Sequence, residues 1–87
     1  MTKPILFYAD LCPDTMPFKQ ELERLSVEYE DVNIFESMAN FKRFLRLRDN
    51  HPVFDTPKSL GSIGIPALVL DDEKVILDRE ELQTIFG

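Results

Sequence analysis

Four short apolar runs alternate with longer amphipathic stretches along the chain. Ile5-Leu6-Phe7-Tyr8 is continuous, the pattern of a strand covered on both faces. Tyr29 to Phe35 alternates less cleanly, with Val32 and Ile34 on one side. Ala67-Leu68-Val69-Leu70 is again continuous, and Val75-Ile76-Leu77 follows after the polar link Asp71-Asp72-Glu73-Lys74. A link that short predicts an antiparallel hairpin for the last two strands.

Three stretches carry the helical period. Phe18, Leu22 and Leu25 recur at i, i+4 and i+7. Met38, Phe41 and Leu45, with the neighbouring Phe44, form a second apolar stripe, and Ser37 suits its N-cap. Leu82, Ile85 and Phe86 form the third, with Asp78 and Glu81 ahead of it at capping-box spacing. Such stripes are core faces. Pro17 lacks an N–H and would clash with the carbonyl of Pro13 in one regular helix, so the first helix is expected to kink there or to begin near Thr15. Asp49 to Gly64, with Pro52, Pro57, Gly61 and Gly64, reads as a long loop anchored by Phe54.

The predicted order is therefore β-α-β-α-β-β-α. The first βαβ unit implies a parallel pair, the terminal hairpin adds antiparallel strands, and helices cover both faces. The expectation is one α/β domain over residues 1–87, a four-stranded mixed sheet flanked by three helices. At 87 residues there is no room for a second core.

Charge narrows the range of partners. Sixteen acidic residues against ten basic ones leave a net charge of −6, which repels phosphate backbones, so no nucleic-acid partner is expected. Lys42, Arg43, Arg46 and Arg48 cluster in sequence, but helical spacing spreads them around the axis as a solvated face. Only Ile5 to Ala9 is apolar before Asp10, so neither a signal peptide nor a membrane span is expected. One cysteine and one histidine form neither a disulfide framework nor a metal cage. A lone free thiol without export signals points to a reducing, cytoplasmic compartment. A monomer is expected.

Cys12-Pro13-Asp14-Thr15 is the most informative segment, because it follows the first strand directly and opens the first helix. A thiol at a helix N-terminus meets the positive end of the dipole and unsatisfied N–H groups, which favour the nucleophilic thiolate. Pro13 suits a first helical position. Asp10 and Asp14 flank the thiol, and their charge opposes the thiolate. The competing reading is an inert, buried cysteine. His51 lies in the long loop and reads as solvent-exposed rather than as a base for Cys12. Gly64-Ile65-Pro66 stands immediately before the third strand, where proline is tolerated on structural grounds alone.

With both segments in place, the chain resembles a glutaredoxin-related protein of the thioredoxin superfamily, over essentially its whole length. That family sets its active cysteine after the first strand in a Cys-Pro-x-Cys or Cys-x-x-Ser motif and a cis-proline before the third strand, facing it. The resemblance implies a thioredoxin fold, Cys12 as nucleophile, Pro13 in the substrate-binding motif, a backbone N–H and C=O offered by Ile65 to a peptide-like ligand, and a cis Pro66. Thr15 stands where a dithiol member has its second cysteine, and its hydroxyl is expected to reach the Cys12 sulfur. The implied activity is monothiol disulfide exchange in cell redox homeostasis, with glutathione as cosubstrate or a protein thiol or disulfide as partner, and no tightly bound cofactor.

Three positions depart from the family: Ala9 replaces the usual lysine, Gly64 the usual threonine, and Leu77-Asp78-Arg79-Glu80 the glycine turn that holds the γ-glutamyl end of glutathione. An Asp78 that caps the last helix would occupy the N–H groups a ligand carboxylate needs, so weak glutathione binding is expected. The alternative is a non-catalytic thioredoxin-fold module that binds a protein or peptide. An iron–sulfur carrier is disfavoured, because such carriers have a Cys-Gly-Phe-Ser motif.

Overall fold

The computed structural model describes residues 3–70 and 74–87. Strand β1 is Ile5–Tyr8, β2 is Glu30–Asn33, β3 is Ala67–Val69 and β4 is Val75–Ile76. They form one mixed sheet in the order β2-β1-β3-β4. β1 runs parallel to β2, with Phe7 opposite Val32, and antiparallel to β3, with Leu6 opposite Leu68. β3 and β4 pair as the expected antiparallel hairpin, closed by the Leu70 N–H donating to the Lys74 carbonyl at 2.8 Å. Residues 71–73 of the polar link lie outside the described residues.

The continuous apolar run of β1 is explained by its two covered faces. Successive side chains of a strand point to opposite sides. Phe7 enters a core with Ala9, Val32, Ile34, Phe44, Phe54, Ala67 and Val75. Leu6 and Tyr8 enter another with Phe18, Leu22, Leu68, Ile76 and Leu82. Helix α1 (Thr15–Arg24) and the last helix (Arg79–Phe86) cover the second face through Phe18, Leu22 and Leu82. Helix α2 (Met38–Asn50) covers the first through Phe44.

Two expectations need correcting. Four α-helices, not three, are present among the described residues. The stretch read as a loop is largely helical: α2 runs on to Asn50, Pro52–Phe54 form a 3-10 turn, and Asp55–Ser59 form α3, which makes Arg79–Phe86 helix α4. The prolines that suggested a loop stand in first turns, where the missing N–H has no intrahelical acceptor in any case. Pro52 opens the 3-10 turn, and Pro57 is the third residue of α3. Pro17 is likewise the third residue of α1, which begins at Thr15, one of the two outcomes anticipated. The second correction concerns α2. Met38 is exposed rather than part of the core face, and the buried contact is made by Phe44 with Leu47 beside it. Phe44 packs between Phe7 and Phe54, with ring centroids 5.6 and 5.8 Å away.

The helix ends follow local chemistry. The Ser37 hydroxyl accepts from the Asn40 N–H at 3.1 Å. α1 ends in a Schellman arrangement: Val27 N–H donates to Leu22 O at 2.9 Å and Ser26 N–H to Glu23 O at 3.0 Å, with Ser26 at φ +57°. No helix among the described residues is long and apolar enough to cross a membrane.

Candidate functional site

The site begins where β1 ends. The chain leaves the sheet at Ala9, whose carbonyl accepts from the Cys12 N–H at 3.1 Å and from the Thr15 hydroxyl at 2.8 Å. The Thr15 N–H donates to the Cys12 carbonyl at 3.1 Å, completing a tight turn into α1. Cys12 therefore precedes the helix rather than lying within it. It is a free, half-buried thiol. Asp14 is the N-cap residue of α1, but its carboxylate makes no capping hydrogen bond and is exposed.

Opposite this turn stands the start of β3. The Ile65–Pro66 peptide is cis, and the Cys12 thiol donates to the Ile65 carbonyl at 3.7 Å. The fold thus joins two segments 53 residues apart in the chain. Among the described residues the Ile65 N–H makes no hydrogen bond. Pro66 itself is buried.

The loop carrying Ile65 is held from behind. Arg48 donates to the carbonyls of Ser62 and Ile63, each at 2.8 Å. Gly64 has φ +96°, and a Cβ there would lie 2.7 Å from Cδ1 of the buried Phe54. Glycine at this place, in departure from the glutaredoxin pattern, is therefore required by Phe54. At the other departure near the thiol, Ala9 is a fully buried residue of the core that holds Phe7, Val32 and Phe44.

Cys12 opens onto a cleft lined by Leu11, Asp14, Phe35 and residues 61–65. A second cleft shares Asp14 and Ile65 with it and runs along Pro17, Phe18 and Pro66 to Leu77, Asp78, Arg79 and Glu80. At that far end the Asp78 carboxylate accepts from the Glu80 N–H at 2.9 Å, so Asp78 caps α4 as its position suggested.

Of the residues singled out in the sequence, Cys12, Ile65 and Pro66 come together. Pro13 is exposed in the turn and lines neither cleft. Thr15 departs from expectation: its hydroxyl donates to Ala9, not to the Cys12 sulfur, because the side chain is buried beneath the turn. Its place is structural support for the Cys12 loop. His51 accepts from the Val53 N–H through Nδ1 at 3.1 Å and lines a separate cleft with Val75 and Ile85. Sequence reasoning missed Leu11, Phe35 and Ile63 at the mouth, and Arg48 behind it. The available signal was Leu11 and Ile63, large apolar residues outside every predicted element, and Phe35, which ends the predicted second strand off the Val32 and Ile34 side. Among the described residues no three His, Cys, Asp or Glu side chains come together as a cation site would need.

Fold and site together define a single-thiol α/β protein whose cysteine stands in the turn between the first strand and first helix, against a cis X-Pro peptide. The chain is 54% identical over 86 residues to an uncharacterized protein of Haemophilus influenzae, a match that spans 99% of this chain and all of the relative. It belongs to the same family as that protein. No family model and no solved structure matches it.

Proposed function

We propose that this chain is a thioredoxin-fold, glutaredoxin-like protein that exchanges disulfides through Cys12 as a monothiol in cell redox homeostasis. The observation that carries the reading is the 3.7 Å approach of the Cys12 sulfur to the Ile65 carbonyl, beside the cis peptide. In the reaction Cys12 gives its proton to solvent, and its thiolate attacks one sulfur of a partner disulfide. The Cys12–sulfur bond forms as the partner S–S bond breaks, and the departing thiolate takes a proton from water. A second thiol, from glutathione or a protein, then attacks the partner sulfur of the mixed disulfide and releases Cys12. The cytoplasm, where thiols stay reduced, is the compartment that suits this cycle.

Glutathione serves at most as a weakly held cosubstrate, and a protein thiol or disulfide is the better partner. Asp78 occupies the N-terminus of α4, and its charge opposes a ligand carboxylate. Losing two charge-assisted contacts of about 1.5–3 kcal/mol each weakens binding by roughly 100-fold or more. Calorimetry tests this point: glutathione should bind weakly or undetectably to wild type and better after Asp78→Gly with Arg79→Gly.

The exchange reading is tested by incubating the reduced protein with a neutral disulfide, 4,4′-dithiodipyridine, and following thiopyridone release. One equivalent should be released, with the mass increment on Cys12, and none by Cys12→Ser. An inert Cys12 in the folded protein would replace this reading with a non-catalytic peptide-binding module. The observation favouring that alternative is the Thr15 hydroxyl, which is engaged by Ala9 rather than poised on the sulfur.

A further inference from the structure

The mouth of the Cys12 cleft is unusually apolar for an acidic surface. Leu11 is 89% exposed, Phe35 52% and Ile63 46%, and all three line the same cleft as the thiol. Large side chains held in water around one groove mark a place where another surface covers them. Phe35 is held in position from its own side, with its ring 5.9 Å from that of Phe41 and its N–H donating to the Asn33 side chain at 3.0 Å.

The groove also has a sign. From the thiol to the start of α4 its charged lining is Asp14, Asp78, Glu80 and Arg79. Three carboxylates thus face one guanidinium. Arg79 and Glu80 both also line the neighbouring cleft between α1 and α4, where Arg24 first and Arg79 after it hold the Glu21 carboxyl below its ordinary range. Arg48 is occupied by the Ser62 and Ile63 carbonyls of the loop and does not line the groove. Between the apolar mouth and the acidic end lies the unbonded Ile65 N–H, a donor for an extended backbone.

We infer that the groove is built for an extended polypeptide segment with an apolar side chain beside its reactive cysteine, seated among Leu11, Phe35 and Ile63, and with basic residues directed toward Asp14, Asp78 and Glu80. The inference rests on the reading of the Cys12 groove as the working site. It differs from glutathione recognition in both features: glutathione carries no large apolar side chain, and its net negative charge is repelled where a lysine is attracted.

The test uses labelled peptides in which serine replaces the reactive cysteine, so that binding is read without chemistry. One carries a central Leu-Ser pair flanked by lysines, the other the same pair flanked by glutamates. Fluorescence anisotropy with the wild-type protein at low salt should show the lysine peptide binding about tenfold tighter or more, a gap that narrows as salt screens the charges. Asp14→Asn with Asp78→Asn should remove most of the gap, since asparagine caps a helix as well as aspartate but carries no charge. Leu11→Ser, at an exposed position where folding is not at stake, should weaken both peptides. Equal affinities in wild type, no binding of either peptide, or a preference that survives the double substitution would overturn the inference. If 4,4′-dithiodipyridine still modifies Cys12 in that case, the exchange reading stands and only the partner class is lost. A charge preference in a protein whose Cys12 is inert would support the inference and remove the exchange chemistry.

Discussion

At Thr15 the local sequence suggests one partner and the fold supplies another. A hydroxyl three residues after a cysteine at a helix start is well placed for the sulfur, yet here it is 2% exposed and donates to the Ala9 carbonyl. Thr15→Val should therefore cost roughly 0.5–1.5 kcal/mol, the net worth of one hydrogen bond, measured by urea unfolding. The same variant should keep its reaction with 4,4′-dithiodipyridine, because the hydroxyl does not touch the sulfur. A lost reaction in a folded variant would show that Thr15 acts on Cys12 after all. Gly64 is a second such position. Gly64→Thr should destabilise by about 2–4 kcal/mol, combining a strained positive φ with overpacking against Phe54. The denaturation midpoint would report it, and an unchanged midpoint would mean that Phe54 has room to move.

Among the elements, α1 carries an improvable end. Ser26 occupies the left-handed position of the Schellman motif at φ +57°, a conformation that costs a residue with a Cβ more than it costs glycine. Ser26→Gly should raise stability by up to about 1 kcal/mol, seen as a higher melting temperature, with no change at Cys12. The side chain is exposed, so little packing is lost. The helices also show why some boundaries could be read and others not. Ser37 and Asp78 announce helix starts because a side-chain oxygen satisfies a nearby orphan N–H, a local matter. α3 was hidden because proline and a missing apolar stripe argue against helix, and none of its residues is buried. It is held through its neighbour Phe54, the anchor that the sequence suggested for this stretch.

For the molecule as a whole, two thin cores on the faces of one sheet leave little reserve. A domain of this size has a total stability of only about 4–13 kcal/mol. Phe54 is completely buried, packs on Phe44 and limits the approach of Gly64, so it links the 3-10 turn, α2 and the loop that bears Ile65. Phe54→Ala should cost about 3–5 kcal/mol by chemical denaturation and leave the protein near the edge of folding. At low denaturant it should also speed amide exchange in residues 61–65, since the cavity opens beneath them. Uniform exchange rates there would separate the loop from the core.

The placing of short apolar runs and helical stripes along the chain was enough to locate four strands and the helices that bury Phe18, Leu22, Phe44 and Leu82, because strand and helix each bury side chains with a period set by backbone geometry. It also placed Cys12 after β1 and Pro66 before β3, and the antiparallel pairing of these central strands brings the two to the same end of the sheet. Only the tertiary structure decided what surrounds the thiol. The Ala9 carbonyl takes Thr15 from the sulfur, and Arg48 reaches across to two loop carbonyls. Phe54 excludes any side chain at residue 64, and Leu11, Phe35 and Ile63 gather at one mouth from three separate loops. Those arrangements depend on contacts between residues far apart in the chain, and their energies do not exist until the sheet has assembled and the loops have closed over it.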